Sequence, residues 1–431
     1  MHIFFSGIGG AGIGPLALIA HQAGYDVSGS DKQDSRTINY LKSHGVVNIH
    51  IGQSRDQIDF SHNKKPIDWF VYSSAITLEN ADSEELEFCK SHGIKTTKRD
   101  EFLNHLLTEK GLSLIAVAGT HGKSTTTAMI IWLFKQFNIP ISYSLGAKIG
   151  FGDSGFFDKA SQYFVYEADE FDRNFLYFKP YYSVISGVSW DHHEIFKTRE
   201  DYKQAFRQFI DQSESVLMLP SDANYLGIKS TSKIRLIDEE KSKQIELVGH
   251  YNRLDGLLAV EAFRVITNLE IADILDKINQ FPGLERRMEQ IIPGLYSDYA
   301  HTPEKIKAAM NVASEMAVDN NQEIIIIYEP LTDRRQHYIK DEYGDVFNDA
   351  AHIYWLPSYL AREDPGLPIL KPSELINHLS DPSIASPARM DQSLVEIIKR
   401  HLSEGAMVVG LNGGGGGGLD EWLRQNFAIN S

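Results

Sequence analysis

The stretch GTHGKSTTT, Gly119 to Thr127, constrains this chain more than any other. It follows the apolar run SLIAVA (Ser113 to Ala118) and opens a helix-like segment, TTTAMIIWLFKQF. A buried strand, a glycine turn, Lys-Ser and a helix make the layout of a phosphate-binding loop. Backbone N–H groups and the helix N-terminus hold phosphate, the lysine neutralises it and the hydroxyl ligates Mg²⁺. The expected ligands are therefore ATP or GTP, with Mg²⁺. The usual pattern, G-x-x-x-x-G-K followed by Ser or Thr, fails because Val117 stands where the first glycine belongs. What remains, G-x-x-G-K-S, also fits a plain strand–turn–helix junction with a solvated lysine. His121 inside the turn is unusual.

The surrounding chain repeats the same alternation. HIFFSGI leads into GGAGIGPLALIAHQAGY, then YDVSGSD, TINYLKSHG, VVNIHIG and WFVYSSA. A second block starts at Ser113, and a third near Phe281 contains EIIIIYEP, HIYWLP and AMVVGLN. Strands alternating with helices predict an α/β fold with parallel sheets covered on both faces. At 431 residues the chain has room for about two to four domains. Breaks near Glu109–Leu112 and at FPG (Phe281 to Gly283) divide it into 1–110, 111–282 and 283–431.

Charge narrows the partners. The net charge of −16 argues against non-specific binding to nucleic acid or an anionic membrane. No run approaches the ~18 apolar residues of a membrane span. The start, MHIFFSG, lacks the basic, then apolar, layout of a signal peptide. The lone cysteine, Cys89, cannot form an internal disulfide, which fits a reducing compartment. A cytoplasmic location follows as the expectation, with small-molecule substrates.

Three further segments carry chemistry. Gly7-Ile8-Gly9-Gly10-Ala11-Gly12 lies between a strand and a helix, and Asp31 closes the next strand. In a dinucleotide-type fold the helix N-terminus meets a diphosphate and the carboxylate accepts a ribose hydroxyl. NAD fits, and so does any nucleotide diphosphate. Glu167-Ala168-Asp169-Glu170-Phe171-Asp172 ends another strand candidate. Four carboxylates in six residues suit a hard cation such as Mg²⁺, or a solvated acidic loop. Asp191-His192-His193-Glu194 follows the apolar run VISGVSW. A parallel sheet lines its strand C-terminal ends along one crevice, where both clusters would converge on the P-loop.

Together these segments resemble the Mur ligases, ATP-dependent amide-forming enzymes of peptidoglycan precursor synthesis. GIGGAGIG and SGSD are similar to their nucleotide-sugar-binding start, and GTHGKSTTT to their shortened P-loop. EADEFDRNFL and DHHEIF resemble the metal-binding segments. GHYNRLDGLLAVEAF, FPGLERRME and SDYAHTPEKI resemble later motifs in the same order. The match spans essentially the whole chain. The resemblance implies a Rossmann-like N-terminal domain, a central P-loop ATPase domain and a Rossmann-like C-terminal domain. These would bind UDP-sugar, ATP and amino acid in turn.

The resemblance also implies residue roles. Gly9, Gly10, Ala11, Gly12, Ser30, Asp31, Ser73 and Ser74 would bind the UDP-sugar. Gly119, Thr120, His121, Gly122, Lys123, Ser124 and Thr125 would hold ATP, with Asn252 at adenine and Arg287 and Asp298 approaching from the third domain. Ser124, Glu167 and His192 would ligate Mg²⁺. Lys123, Glu167, His192, His301 and Arg335 would carry catalysis, His301 bordering the acceptor. The implied reaction joins L-alanine to UDP-N-acetylmuramate through an acyl phosphate, in a monomer or weak dimer. One alternative attaches a preformed L-Ala-γ-D-Glu-diaminopimelate tripeptide to the same sugar. Others are an NAD-dependent oxidoreductase using Gly7 to Asp31, which leaves Lys123, Glu167 and His192 unexplained, and a non-catalytic nucleotide-binding regulator.

The chain departs from the family at the acceptor end. Ser297 and Thr302 replace an Asp and a second His of the D-D-Y-A-H-H-P pattern. Thr332 stands where a first arginine is usual, with Arg334 and Arg335 beside it. Gly413 to Gly418 replaces a G-A-G-D-I turn, and Arg207 occupies the region of the carbamylated lysine of some members, so none is expected.

Overall fold

A computed structural model of the chain describes residues 1–73, 83–192, 195–360, 366–413 and 418–428. Among them three α/β sheets form, each from strands that alternate with helices, apolar in the central strands and more polar at the edges. The first contains β1 (His2–Ser6), β2 (Asp26–Asp31), β3 (Asn48–Ile51), β4 (Trp69–Tyr72) and β5 (Lys95–Lys98), in the order β3-β2-β1-β4-β5. All its pairings are parallel. Strand order reverses at β1, which opens a crevice at the strand C-termini where the Gly7–Gly12 loop leaves the sheet.

The second sheet comprises β6 (Ser113–Ala118), β7 (Ser142–Ser144), β8 (Gly155–Phe156), β9 (Tyr163–Glu167), β10 (Tyr182–Ile185), β11 (Ser215–Met218) and β12 (Ile234–Leu236). Its order is β12-β11-β10-β6-β9-β7-β8, with only the β7–β8 hairpin pair antiparallel. The P-loop strand β6 therefore lies between β9 and β10. Both strands that precede the acidic and histidine segments flank it directly. β6 is an uninterrupted apolar run because both of its faces are covered, as a central parallel strand requires.

The third sheet holds β13 (Glu289–Ile292), β14 (Leu295–Asp298), β15 (Ile324–Glu329), β16 (His352–Trp355), β17 (Ala385–Pro387) and β18 (Met407–Asn412), in the order β13-β14-β18-β15-β16-β17. Only β13 runs antiparallel to its neighbour.

The chain divides into two compact units. One contains Met1–Ile245 with Asp255–Phe281, and so holds the first two sheets. The other contains Glu246–Leu254 with Pro282–Ser431. One hydrophobic cluster in the first unit runs from Ile3 and Phe5 through Phe102 to Phe164 and Phe206, so its two sheets share a core. Cys89 is buried in a smaller cluster with Phe4 and Phe70. No helix among the described residues is long and apolar enough to cross a membrane.

Candidate functional site

The P-loop turn is shaped by what a side chain would strike. Gly122 sits at φ 73°, and a Cβ there would lie 2.3 Å from Asp255 Oδ1 and 2.9 Å from the Ser186 carbonyl oxygen. Only glycine meets both constraints. The turn is then pinned to residues 186–189, which follow β10. Thr120 N–H donates to Gly187 O at 2.6 Å. The Thr120 hydroxyl donates to Ser189 O at 2.7 Å and lies 2.6 Å from Tyr202 Oη. His121 Nε2 lies 2.6 Å from Ser189 Oγ, and the Ser186 hydroxyl donates to His121 O at 2.6 Å. His121 thus fastens the turn to its neighbour. Lys123, Ser124 and Thr125 open the helix Lys123–Gln136.

Sheet register assembles the charged groups. Val117 of β6 pairs with Glu167 of β9, which delivers the acidic segment to the loop. The Ser124 hydroxyl donates to Glu167 Oε1 at 2.7 Å, and Gly146 N–H donates to Glu167 Oε2 at 2.7 Å. Lys123 Nζ donates to Gly119 O at 2.5 Å and to Glu170 Oε2 at 2.8 Å. His192 Nε2 lies 3.5 Å from Glu170 Oε1, with its backbone at φ 53° and its ring edge-on to Phe171. A left-handed histidine at such a place stores backbone strain of the kind that clusters at functional sites.

Glu170 is the centre of this group, and the sequence reading did not single it out. Its side chain is 1% exposed. Burial pushes its carboxyl up, but Lys123 and His192 prevail and hold it down at about 2. Burial likewise opposes the Lys123 ammonium, yet Glu170, Asp169 and Glu167 keep it above the ordinary lysine range. Asp169 is raised by burial and by the adjacent Glu170. The result is a charged lysine parked on a charged carboxylate at the mouth of a glycine turn.

The N-terminal loop is built similarly. Gly7 and Ile8 N–H groups both donate to Ser30 O, at 2.8 and 3.0 Å. Gly9 N–H donates to Asp31 Oδ2 at 2.8 Å, so Asp31 shapes the loop as well as facing the crevice. A Cβ on Gly9 would meet Ser35 Oγ at 2.8 Å and Asp31 Oδ2 at 2.9 Å. Gly10 and Ala11 are exposed, and Gly12 caps the helix Ile13–Gln22 without any side-chain bond. Ser73 follows β4 and is half-buried; Ser74 lies outside the described residues, as do His193 and Glu194.

Beneath this loop Glu85 is fully buried, accepting the Ser6 hydroxyl at 2.5 Å, while Gln53 Nε2 donates to Ser6 Oγ at 3.0 Å. Burial pushes the Glu85 carboxyl up to about 7. A raised carboxyl favours the folded state below its unfolded pKa and penalises it as pH rises through the folded value. Glu85→Gln is therefore expected to stabilise the protein at pH 8 by up to about 3 kcal/mol. Urea unfolding should show that gain shrinking from pH 7 toward 4.5, the ordinary value; a gain that is constant with pH contradicts it.

The second unit places the remaining residues. Asp298, at the end of β14, accepts Met288 N–H at 2.8 Å, and burial pushes its carboxyl up to about 6. Arg287 donates to Tyr299 O at 2.8 Å and lies over the Tyr299 ring. Arg286 and Met288 on either side adopt φ of 59° and 45°. His301 is buried, with its ring edge-on to Tyr299 and its carbonyl accepting the Tyr328 hydroxyl at 3.3 Å. A Cβ on Gly413 would lie 3.4 Å from His301 Cβ, so the start of the glycine run abuts that histidine. Arg334 and Arg335 are half-buried in the first turn of the helix Asp333–Ile339. Asn252 donates to Val248 O at 2.7 Å from the start of the helix His250–Thr267.

Of the altered acceptor positions, Ser297 has a local reason, since its hydroxyl donates to Asp420 at 2.6 Å. Thr302 and Thr332 stand at the N-caps of the helices Pro303–Asn320 and Asp333–Ile339, but neither side chain caps its helix, and the structure gives no reason for either substitution. Arg207 bonds Leu226 O at 2.7 Å and Glu200 at 2.5 Å, a structural tie between two helices.

With this geometry in view, relatives are informative. Residues 2–110 match the Mur ligase family, catalytic domain, and residues 117–253 the Mur ligase middle domain, together more than half of the chain. The chain belongs to the Mur ligase family. The UDP-N-acetylmuramate–L-alanine ligase of Clostridium perfringens is 29% identical over 405 residues, 84% of each chain. That of Lactococcus lactis is 28% identical over 387 residues, 82% of this chain and 83% of that one. The crystal structure of the UDP-N-acetylmuramate–alanine ligase of Thermotoga maritima matches with a TM-score of 0.72 at 22% identity, covering 96% of both chains. The murein peptide ligase of Psychrobacter arcticus matches at 0.65 and 23% identity over 100% of both.

This Mur ligase therefore has the three-domain α/β architecture of its family, and the match over residues 2–110 assigns the glycine-rich start to that family rather than to NAD-dependent oxidoreductases. Whether a divalent cation fits can be judged from the donors. The described residues contain no group of three His, Cys, Asp or Glu side chains arranged to cage a metal. Mg²⁺ needs no such cage. It keeps several waters and takes one or two carboxylates plus substrate phosphates. The Ser124 hydroxyl bonded to the Glu167 carboxylate, beside the Gly119–Gly122 turn, fits that need.

Proposed function

We propose that this Mur ligase joins L-alanine to UDP-N-acetylmuramate with consumption of ATP. The observation that carries the reading is the Lys123–Glu170 and Ser124–Glu167 cluster on a glycine turn, in the same compact unit as the Gly7–Gly12 loop. The names of the relatives supply the substrates. Residues 1–110 would bind the UDP-sugar through Gly9 to Gly12, Ser30, Asp31, Ser73 and Ser74. Residues 111–282 would bind ATP, and residues 283–431 the amino acid.

A carboxylate is a poor acylating agent. The muramoyl carboxylate attacks the γ-phosphorus of ATP, ADP leaves, and the resulting acyl phosphate is attacked by the alanine amine with loss of phosphate. Negative charge accumulates on phosphoryl oxygens first and on the acyl oxygen next. Fixed cations and N–H donors act most strongly where charge develops. Lys123 and the backbone amides of Gly119–Thr125 would meet the phosphates. Ser124, Glu167 and His192 would hold Mg²⁺, which supplies further neutralisation of phosphate charge. Asn252, Arg287 and Asp298 would contact ATP, and His301 and Arg335 the acceptor. The protein would act in the cytoplasm as a monomer or weak dimer.

Phosphate release tests the reading directly. UDP-N-acetylmuramate, MgATP and L-alanine should release phosphate in proportion to the enzyme. Release with the L-Ala-γ-D-Glu-diaminopimelate tripeptide and none with L-alanine would replace the acceptor. The altered positions Ser297, Thr302 and Thr332 make that the second reading to test.

A further inference from the structure

Residues 98–100 make contacts that the chemistry above does not use. β5 ends at Lys98, and the helix Arg99–Lys110 begins on the next residue. Three consecutive side chains leave that junction for the end of β9 and the acidic segment that follows it, beside the P-loop. Lys98 Nζ donates to Asp172 Oδ2 at 2.5 Å, Arg99 Nη2 donates to Asp169 Oδ2 at 3.1 Å, and Asp100 Oδ1 accepts the Tyr166 hydroxyl at 2.5 Å. Arg99 Nε also donates to Asp100 Oδ2 at 3.1 Å, so the guanidinium is gripped on two sides. Asp172 and Arg173 both stand in the left-handed region, at φ 52° and 57°. Lys98 on Asp172 and Asp201 on Arg173, at 2.6 Å, hold that strained pair.

The other side of Arg99 touches the glycine-rich loop. A Cβ on Gly12 would lie 2.0 Å from Arg99 Nη1. The guanidinium therefore packs directly on the Gly12 backbone, in space that any side chain would fill. Local stability does not explain this placement. Gly12 caps a helix with no acidic residue in its first turn, and a helix N-terminus repels a cation. Asp100 and Asp169 offset that repulsion from the far side.

We propose that Arg99 is a positioning residue that ties the nucleotide-sugar loop at Gly12 to Asp169, and through the adjacent Glu170 to Lys123, so that filling one nucleotide site orders the other. The proposal rests on the reading of Gly9–Gly12 as the nucleotide-sugar loop. A diphosphate arriving there draws on the Arg99 charge that Asp169 now takes. Asp169 and Glu170 are consecutive and both buried, so a change in one is felt by the other and by the lysine it holds.

Calorimetry with UDP and a non-hydrolysable MgATP analogue reads this coupling. In the wild type, saturating UDP should tighten the analogue about fivefold. Arg99→Ala should bring that factor close to one, and Arg99→Lys should restore part of it. Asp169→Asn cuts the same link from the other side and should also abolish the factor, which keeps the test decisive if Arg99→Ala folds poorly. In turnover, Arg99→Ala should raise KM for the nucleotide sugar about tenfold and, at saturating nucleotide sugar, KM for ATP about fivefold, the size of the lost coupling. A mere strut would lower the melting temperature and leave the coupling factor and both KM values unchanged, which overturns the proposal, as does a wild type that binds both ligands without coupling. A wild type that binds no UDP overturns the nucleotide-sugar reading itself, and the proposal with it.

Discussion

Lys123→Ala should lower phosphate release by about 10³-fold while leaving the affinity for UDP alone within twofold. Lys123 Nζ is held at 2.5 Å from Gly119 O and 2.8 Å from Glu170, at the point where the turn would cradle phosphate. Its ammonium stays charged against the pull of burial because Glu170, Asp169 and Glu167 surround it. It is therefore a fixed cation in a water-poor site, where charge stabilisation is worth far more than in solvent. The Gly7–Gly12 loop, proposed to hold the UDP-sugar, is shaped by other groups, its amides at residues 7–9 bonding Ser30 O and Asp31. Calorimetry with UDP and a coupled phosphate assay separate the two effects. The thermal midpoint must be measured in parallel, since the variant leaves Glu170 buried without its cation, at a cost of about 3 kcal/mol or more. UDP affinity that falls along with turnover, with ATP absent, would show that Lys123 supports the UDP site itself and does more than meet the phosphates of ATP.

Much of this arrangement was legible in the residues. SLIAVA and the segment after Lys123 announced a strand and a helix because a central parallel strand must be apolar on both faces. That the acidic and histidine segments converge on the turn was legible as well, because a parallel sheet lines its strand ends along one crevice; that β9 and β10 are the direct neighbours of β6 was not, since pairing between distant strands leaves no mark on local composition. Glu170 was not legible. Four carboxylates in six residues look alike in sequence, and which one meets Lys123 depends on β9 ending at Glu167 and on the left-handed turn at Asp172 and Arg173. Local composition does not encode such a turn, because neither residue is glycine. Ser297 was equally opaque. Its partner Asp420 lies 123 residues on, and only the β14–β18 pairing brings the two segments together. The clamp at residues 98–100 was hidden for the same reason, as Lys-Arg-Asp is an ordinary helix start until Asp169 and Gly12 are placed around it.

Glu170→Gln should cost about 3 kcal/mol of stability at pH 7, by two independent routes. Breaking a buried ion pair by removing one charge typically costs about 3–5 kcal/mol. The depressed carboxyl gives a similar figure. Its folded value of about 2, against an ordinary 4.5, corresponds to about 3 kcal/mol. Because the folded value is lowered, this contribution is present above pH 4.5 and lost as pH falls toward 2. Urea unfolding of the two proteins should therefore diverge at neutral pH and converge in acid. Nucleotide adds a sharper test. In the free protein the Lys123 ammonium is shared between Gly119 O and Glu170. A triphosphate on the turn offers that ammonium a second anion, and the variant has more to gain from it than the wild type. A saturating MgATP analogue should thus raise the unfolding midpoint of Glu170→Gln more than that of the wild type, recovering part of the lost stability. Equal shifts in both proteins would mean that Lys123 remains on Glu170 when nucleotide binds, and that the cation meeting the phosphates is a different one.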